Sequence, residues 1–147
     1  ASPIIAGDML VGAVKSGLYA IHPGGSSKAS VAYRLQTKHS PYVPTPIYRD
    51  GFLYNFTDNG YVSCHSAADG ALFWREKPAD HFFGSPILVD GHLFCQDREG
   101  AVVVIKADKT YQLLAINQLG EGSHATPIAA DGKLFLRTYS KLMCIGR

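Results

Sequence analysis

The chain has 147 residues, 46% hydrophobic and 18% charged, with a formal net charge of +2 and a mean hydropathy near zero, the balance of a globular domain with a real core. No two of its 14 Lys and Arg residues are adjacent, so no basic stripe follows a phosphate backbone and nucleic acid is not an expected partner. The longest aliphatic run, Ala101 to Ile105, is too short to span a bilayer, and no basic-then-apolar leader is visible before Ala1.

In chain order, the first unit opens with Ser2-Pro3-Ile4, a Gly7-Asp8 turn and Leu10. "HPGGSSK" from His22 lacks the P-loop spacing and reads as a flexible connection to a strand at Val31 to Leu35.

The second unit restates the pattern as Thr45-Pro46-Ile47, Asp50-Gly51 and Leu53. Asp-Gly between two apolar runs signals a tight hairpin, because a type I′ turn needs positive φ at both central positions. The predicted strands are Thr45 to Tyr48, Phe52 to Phe56, Tyr61 to His65 and Ala71 to Arg75, with further turns at Asp58-Asn59-Gly60 and Asp69-Gly70. The sequon Asn55-Phe56-Thr57 falls inside a strand, where a sugar would be hindered.

The third unit has its anchor at Ser85-Pro86-Ile87 and predicted strands at Pro86 to Val89, His92 to Gln96, Ala101 to Lys106 and Tyr111 to Asn117. "AVVVI" is apolar on both faces, which suits a sheet between two neighbours. "GEGSHA" from Gly120 precedes a strand rather than a helix and is a turn, not a dinucleotide loop. The fourth unit, anchored at Thr126-Pro127-Ile128, has strands at Thr126 to Ala129, Lys133 to Arg137 and Leu142 to Ile145, with no outer strand. Its compact ending at Gly146-Arg147 reads as a natural C-terminus.

The anchor prolines lie 43, 40 and 41 residues apart, and a leucine follows each by seven positions. Units of about 1-38, 39-79, 80-120 and 121-147, with no convincing helical period, predict an all-β propeller of four-stranded antiparallel blades. About four blades make half of a seven- or eight-bladed ring. Such an arc leaves apolar faces at both ends, expected at Ile4, Leu10 and Tyr19 and at Ile128, Leu134 and Leu142. The expected partner is therefore a second copy in a homodimer, or a missing N-terminal half of the propeller.

Cys64, Cys95 and Cys144 are far apart, include no CxxC, and lie in apolar strands, which favours packing over redox or metal chemistry. In the second unit Gly60, Cys64, Ser66, Asp69, Gly70 and Trp74 fall at the spacing of the quinoprotein-type blade. The chain thus resembles the PQQ-like repeat β-propellers, the superfamily of quinone-dependent alcohol dehydrogenases and BamB. Against that consensus Ser66 and Asp69 replace the usual Asp and Thr, and Trp74, the blade-docking residue, is the only Trp. By resemblance the chain is an exported, non-catalytic scaffold that presents loops and a central mouth to a protein, glycan or small ligand, with no cofactor. The alternative is part of a dehydrogenase dependent on pyrroloquinoline quinone (PQQ) and calcium, the one reading in which PQQ enters.

The connections between units carry His39, Tyr42, His81, Phe82, Phe83 and His124. These are the candidates for an aromatic and imidazole-lined mouth, the bland alternative being solvated loop residues. The three histidines stand at unequal offsets from their prolines, so no metal site is expected. Asp58, Asp97 and Glu99 read as hairpin residues, and no catalytic triad can be placed.

Overall fold

A computed structural model describes residues 1–25 and 28–146; Ser26, Ser27 and Arg147 lie outside the described residues, so the centre of "HPGGSSK" and the last residue of the expected C-terminus do too. Among the described residues fifteen strands form four separate antiparallel sheets, and no α-helix occurs. The first sheet contains β1 (Ile4–Ala6), β2 (Met9–Val14), β3 (Gly17–His22) and β4 (Ser30–Leu35). The second contains β5 (Ile47–Arg49), β6 (Phe52–Phe56), β7 (Val62–Ser66) and β8 (Leu72–Glu76). The third contains β9 (Ile87–Val89), β10 (His92–Gln96), β11 (Ala101–Lys106) and β12 (Leu113–Gln118). The fourth has three strands, β13 (Ile128–Ala130), β14 (Lys133–Arg137) and β15 (Leu142–Gly146). Each sheet runs in chain order from inner to outer strand, the arrangement of a propeller blade.

Turn chemistry sets the hairpins. Asp50, Asp90 and Asp131 have φ of 50°, 46° and 50°, and the glycine after each is also positive, as the I′ turn demands. In the first blade Gly7 has φ +65° while Asp8 is not positive, the pattern of a II′ turn with glycine first. Register then alternates the side chains between the two neighbouring blades.

Three apolar layers hold the blades together. Met9, Val11, Leu18, Ala20 and Leu53 fill the first gap; Tyr54, Phe56, Trp74, Phe82, Leu93 and Val103 fill the second; Val102, Val104 and Leu136 fill the third. Full burial of an aliphatic or aromatic side chain is worth roughly 1.5–3 kcal/mol, so each layer stabilises two sheets that are marginal alone. Ile4 and Leu134 pack into the first and third layers rather than onto bare ends. The cause is parity: Ile4 opposes Val11, and Leu134 lies two residues from Leu136 on the same face. Leu10, Ile128 and Leu142 do stand exposed on the outer faces.

A register shift occurs at one equivalent place in every four-stranded blade, between Ala20 and Ile21, Cys64 and His65, and Val104 and Ile105. Each leaves an extra residue on the outermost strand, a bulge that bends and twists that edge. With the bulge counted, Tyr33, Trp74 and Ala115 are equivalent, opposite Ala20, Cys64 and Val104. Tyr33 packs across Gly70 of the second blade much as Trp74 reaches the third.

Candidate functional site

At one end of the blades lie the β2–β3, β6–β7, β10–β11 and β14–β15 hairpins, together with the connections that carry the chain from each outer strand to the next inner strand. The connections are laced to those hairpins. The N–H groups of Tyr42 and Val43 donate to the Asp58 carboxylate at 2.7 and 3.2 Å, Phe82 bridges to Asp97, and Arg98 N–H donates to His81 O at 2.9 Å. Gly60, at φ +83°, has no room for a Cβ, because the Ala79 carbonyl of the passing connection already occupies the place.

The hydroxyl before each anchor proline has a structural role. The N–H of Ser2 donates to Thr45 Oγ1 at 3.1 Å, that of Thr45 to Ser85 Oγ at 2.9 Å, and that of Ser85 to Thr126 Oγ1 at 3.0 Å. The four Ser/Thr-Pro-Ile motifs thus form a ladder that steps from blade to blade. Its signal was present in the sequence as a hydroxyl residue at one offset in all four units.

The six mouth candidates separate into two groups. His39 ends a short 3₁₀ turn (Thr37–His39) and is buried, with its ring edge-on to His65 at 5.1 Å between centroids. Burial first, then the neighbouring His65, Arg75 and Lys38, pull its pKa down to about 4. His65, also buried and lowered by burial, contacts Gly70 O and Ser63 Oγ, both at 3.1 Å. Phe82 is wholly buried against Phe56, ring centroids 5.1 Å apart. These two candidates fill the spaces between blades and do not line a mouth.

Tyr42, His81, Phe83 and His124 are exposed, and two of them meet. Phe83 and His124 occupy the same position, three residues before their prolines, and their rings stack at 4.5 Å with 34° between planes. Tyr139, from the β14–β15 hairpin, closes edge-on over His124 at 5.5 Å, and its hydroxyl lies 3.1 Å from His124 Nε2. The Arg98 guanidinium stands over the Phe83 ring, 5.8 Å from its centre. Beside the stack is a recess of about 270 Å³ lined by Ser123, His124, Ala125, Arg137, Thr138 and Tyr139. At its edge the Glu121 carboxyl is held below its ordinary range, first by the Thr138 hydroxyl and then by Ser140. A partly exposed cation, three adjacent rings and a carboxylate can take an aromatic or extended amphipathic ligand. Arg98 and Tyr139 were not among the sequence candidates, because nothing in the sequence says that their hairpins reach the connections.

A calcium–PQQ site needs converging carboxylate and amide oxygens. Here Asp50, Asp90 and Asp131 stand at positive-φ turn positions, and the Asp97 and Asp69 carboxylates accept from the N–H groups of Ala101 and Ala71. Among the described residues no three His, Cys, Asp or Glu side chains gather as a metal site.

Solved structures with this fold include BamB from Moraxella catarrhalis, 14% identical with a TM-score of 0.76, over 99% of this chain and 44% of that one. The computationally designed Ika4 protein is 11% identical with a TM-score of 0.76, over 98% of this chain and 88% of that one. A europium-containing methanol dehydrogenase is 16% identical with a TM-score of 0.63, over 78% of this chain and 23% of that one. The chain thus spans less than half the length of the two natural structures. No curated protein sequence matches it. The model of the family described as outer membrane protein assembly factor BamB matches residues 14–146, all but β1 and most of β2 of the first blade, and the chain belongs to that PQQ-like β-propeller family.

Proposed function

We propose that the chain is a non-catalytic propeller scaffold of the cell envelope whose hairpin-and-connection end binds an extended polypeptide. The observation that carries this reading is the exposed Phe83–His124–Tyr139 stack with Arg98 beside it. Stacked rings at equivalent positions of successive blades offer a broad, rigid contact area that loses little side-chain entropy on binding. The family's description as an outer membrane protein assembly factor supports a polypeptide over a small metabolite as the partner.

The test is a titration of the isotopically labelled chain with a ten-residue peptide of alternating aromatic and polar residues, patterned as an outer membrane β-strand. Saturable NMR shifts at Phe83, His124 and Tyr139, lost in a Phe83→Ala, Tyr139→Ala variant, are expected. Absence of saturable peptide binding would overturn the proposal. Tight one-to-one binding of PQQ with calcium would replace it with the dehydrogenase reading.

A further inference from the structure

The layer between the first and second blades differs in chemistry from the two that follow. On the β6–β7 pair Leu53 stands opposite His65 and Asn55 opposite Ser63, all four buried on the face turned to the first blade. The same register in the third blade sets Leu93 opposite Ile105 and Cys95 opposite Val103, all wholly buried. In the fourth it sets Leu134 opposite Ile145 and Leu136 opposite Met143. Asn55, Ser63 and His65 thus hold places that are apolar in both later blades.

Their hydrogen bonds do not close within the protein. His65 Nδ1 faces the Gly70 carbonyl and must donate to it, so Nε2 accepts from the Ser63 hydroxyl, both at 3.1 Å. Ser63 Oγ is left able to accept. Asn55 is wholly buried, yet neither its Oδ1 nor its Nδ2 has a partner among the described residues. The same holds for His39 Nδ1 and Ser40 Oγ, on the connection that packs its His39 ring edge-on against His65. Unpaired polar atoms are costly when buried, and four of them at one joint point to a shared partner.

The chemistry of that partner follows from the set. Lys38 and Arg75 act on His39 and no carboxylate does, which disfavours a cation. An anion would suit Asn55 Nδ2 but leave Asn55 Oδ1 facing a like partial charge. A small neutral group that both donates and accepts answers all of them.

We infer that this joint is a site for internal water, bridging Asn55 and Ser63 of the second blade to His39 and Ser40 of the connection. Buried water is held by several polar groups of this kind, whereas apolar layers stay dry. The first connection is thereby tethered through solvent, while the next one is held by Phe82 packed on Phe56.

The experiment is a crystal structure of the chain at atomic resolution, grown with bromide as the halide, together with urea unfolding of Asn55→Leu, which places at this position the residue type of Leu136. A water-sized density peak within hydrogen-bonding distance of Asn55 and of His39 or Ser40 is expected, without anomalous signal. Asn55→Leu is expected to lower the folding equilibrium constant about tenfold or more, because it strands the groups that the water joined. An empty joint, or a bromide peak beside Asn55, would overturn the inference. So would a more stable Asn55→Leu variant, which would show that the amide was simply unpaired. Should that variant fail to fold, the density decides.

Discussion

The indole N–H of Trp74 donates to the carbonyl oxygen of Asp108 at 3.1 Å, and its ring meets that of Tyr111 at 5.0 Å between centroids. One side chain on the outer strand of the second blade thus grips the β11–β12 turn of the third. Trp74→Phe keeps most of the apolar contact but loses the hydrogen bond, a cost of about 1 kcal/mol. Trp74→Ala also opens a void beside Tyr54 and is expected to cost about 3–5 kcal/mol. Urea unfolding followed by circular dichroism measures both; equal effects would show that the hydrogen bond and the ring packing are not separate contributions.

Stability is expected to fall on mild acidification because of His39 and His65. Both bind protons less readily in the folded chain than in the unfolded one, His39 with a pKa of about 4. The charged groups acting on His39 are Lys38 and Arg75, so protonation gains no acidic partner there. The contribution of the neutral pair is whole above the ordinary imidazole value of about 6.5 and is lost as pH drops from there through about 4. Melting temperatures between pH 7.5 and 4.5 should show the decline, and His39→Gln should flatten it.

Gly51 and Gly60 have the same φ, +83°, but different surroundings. A Cβ on Gly51 meets nothing within 4 Å, whereas one on Gly60 overlaps the backbone of Ala79 and Asp80. Gly51→Ala should therefore cost only the left-handed penalty of about 1–2 kcal/mol. Gly60→Ala should cost clearly more, since the connection to the third blade must move aside. Thermal unfolding of the pair isolates the steric part.

Cys64 and Cys95 should be silent to a thiol reagent in the native chain. Burial pushes the Cys64 thiol up to about 12 and raises that of Cys95 well above its ordinary value, so neither offers a thiolate at neutral pH. Titration with a chromogenic disulfide should report no more than one reactive thiol when folded and three in urea. A second fast thiol without denaturant would show that a layer between blades opens.

The hairpins were legible in the sequence because their chemistry is local. Asp-Gly dictates its own φ values, and the predicted strands Phe52 to Phe56, His92 to Gln96, Ala101 to Lys106 and Lys133 to Arg137 match β6, β10, β11 and β14 end for end. Positions that depend on a neighbouring blade were less legible. Phe82 and Phe83 are adjacent in sequence, yet the bridge to Asp97 turns the first into the core and leaves the second outside. His39 was hidden for a similar reason, since the 3₁₀ turn that carries it inward has no periodic signature in three residues. The longer β3–β4 connection concealed the equivalence of Tyr33 and Trp74, which lie 13 and 10 residues beyond their partners Ala20 and Cys64, a difference that a fixed repeat spacing cannot recover.

The Ser/Thr-Pro-Ile ladder also bears on how such a chain can change length. Every unit brings one N–H to give and one hydroxyl to receive, at a junction that makes no reference to which blade it belongs to. Duplication or loss of a whole unit of about 40 residues therefore leaves each remaining donor matched to an acceptor, whereas a gain or loss of part of a unit breaks the match at one joint. Growth and shrinkage in whole blades are, on this geometry, the genetic changes that leave the inner rim intact.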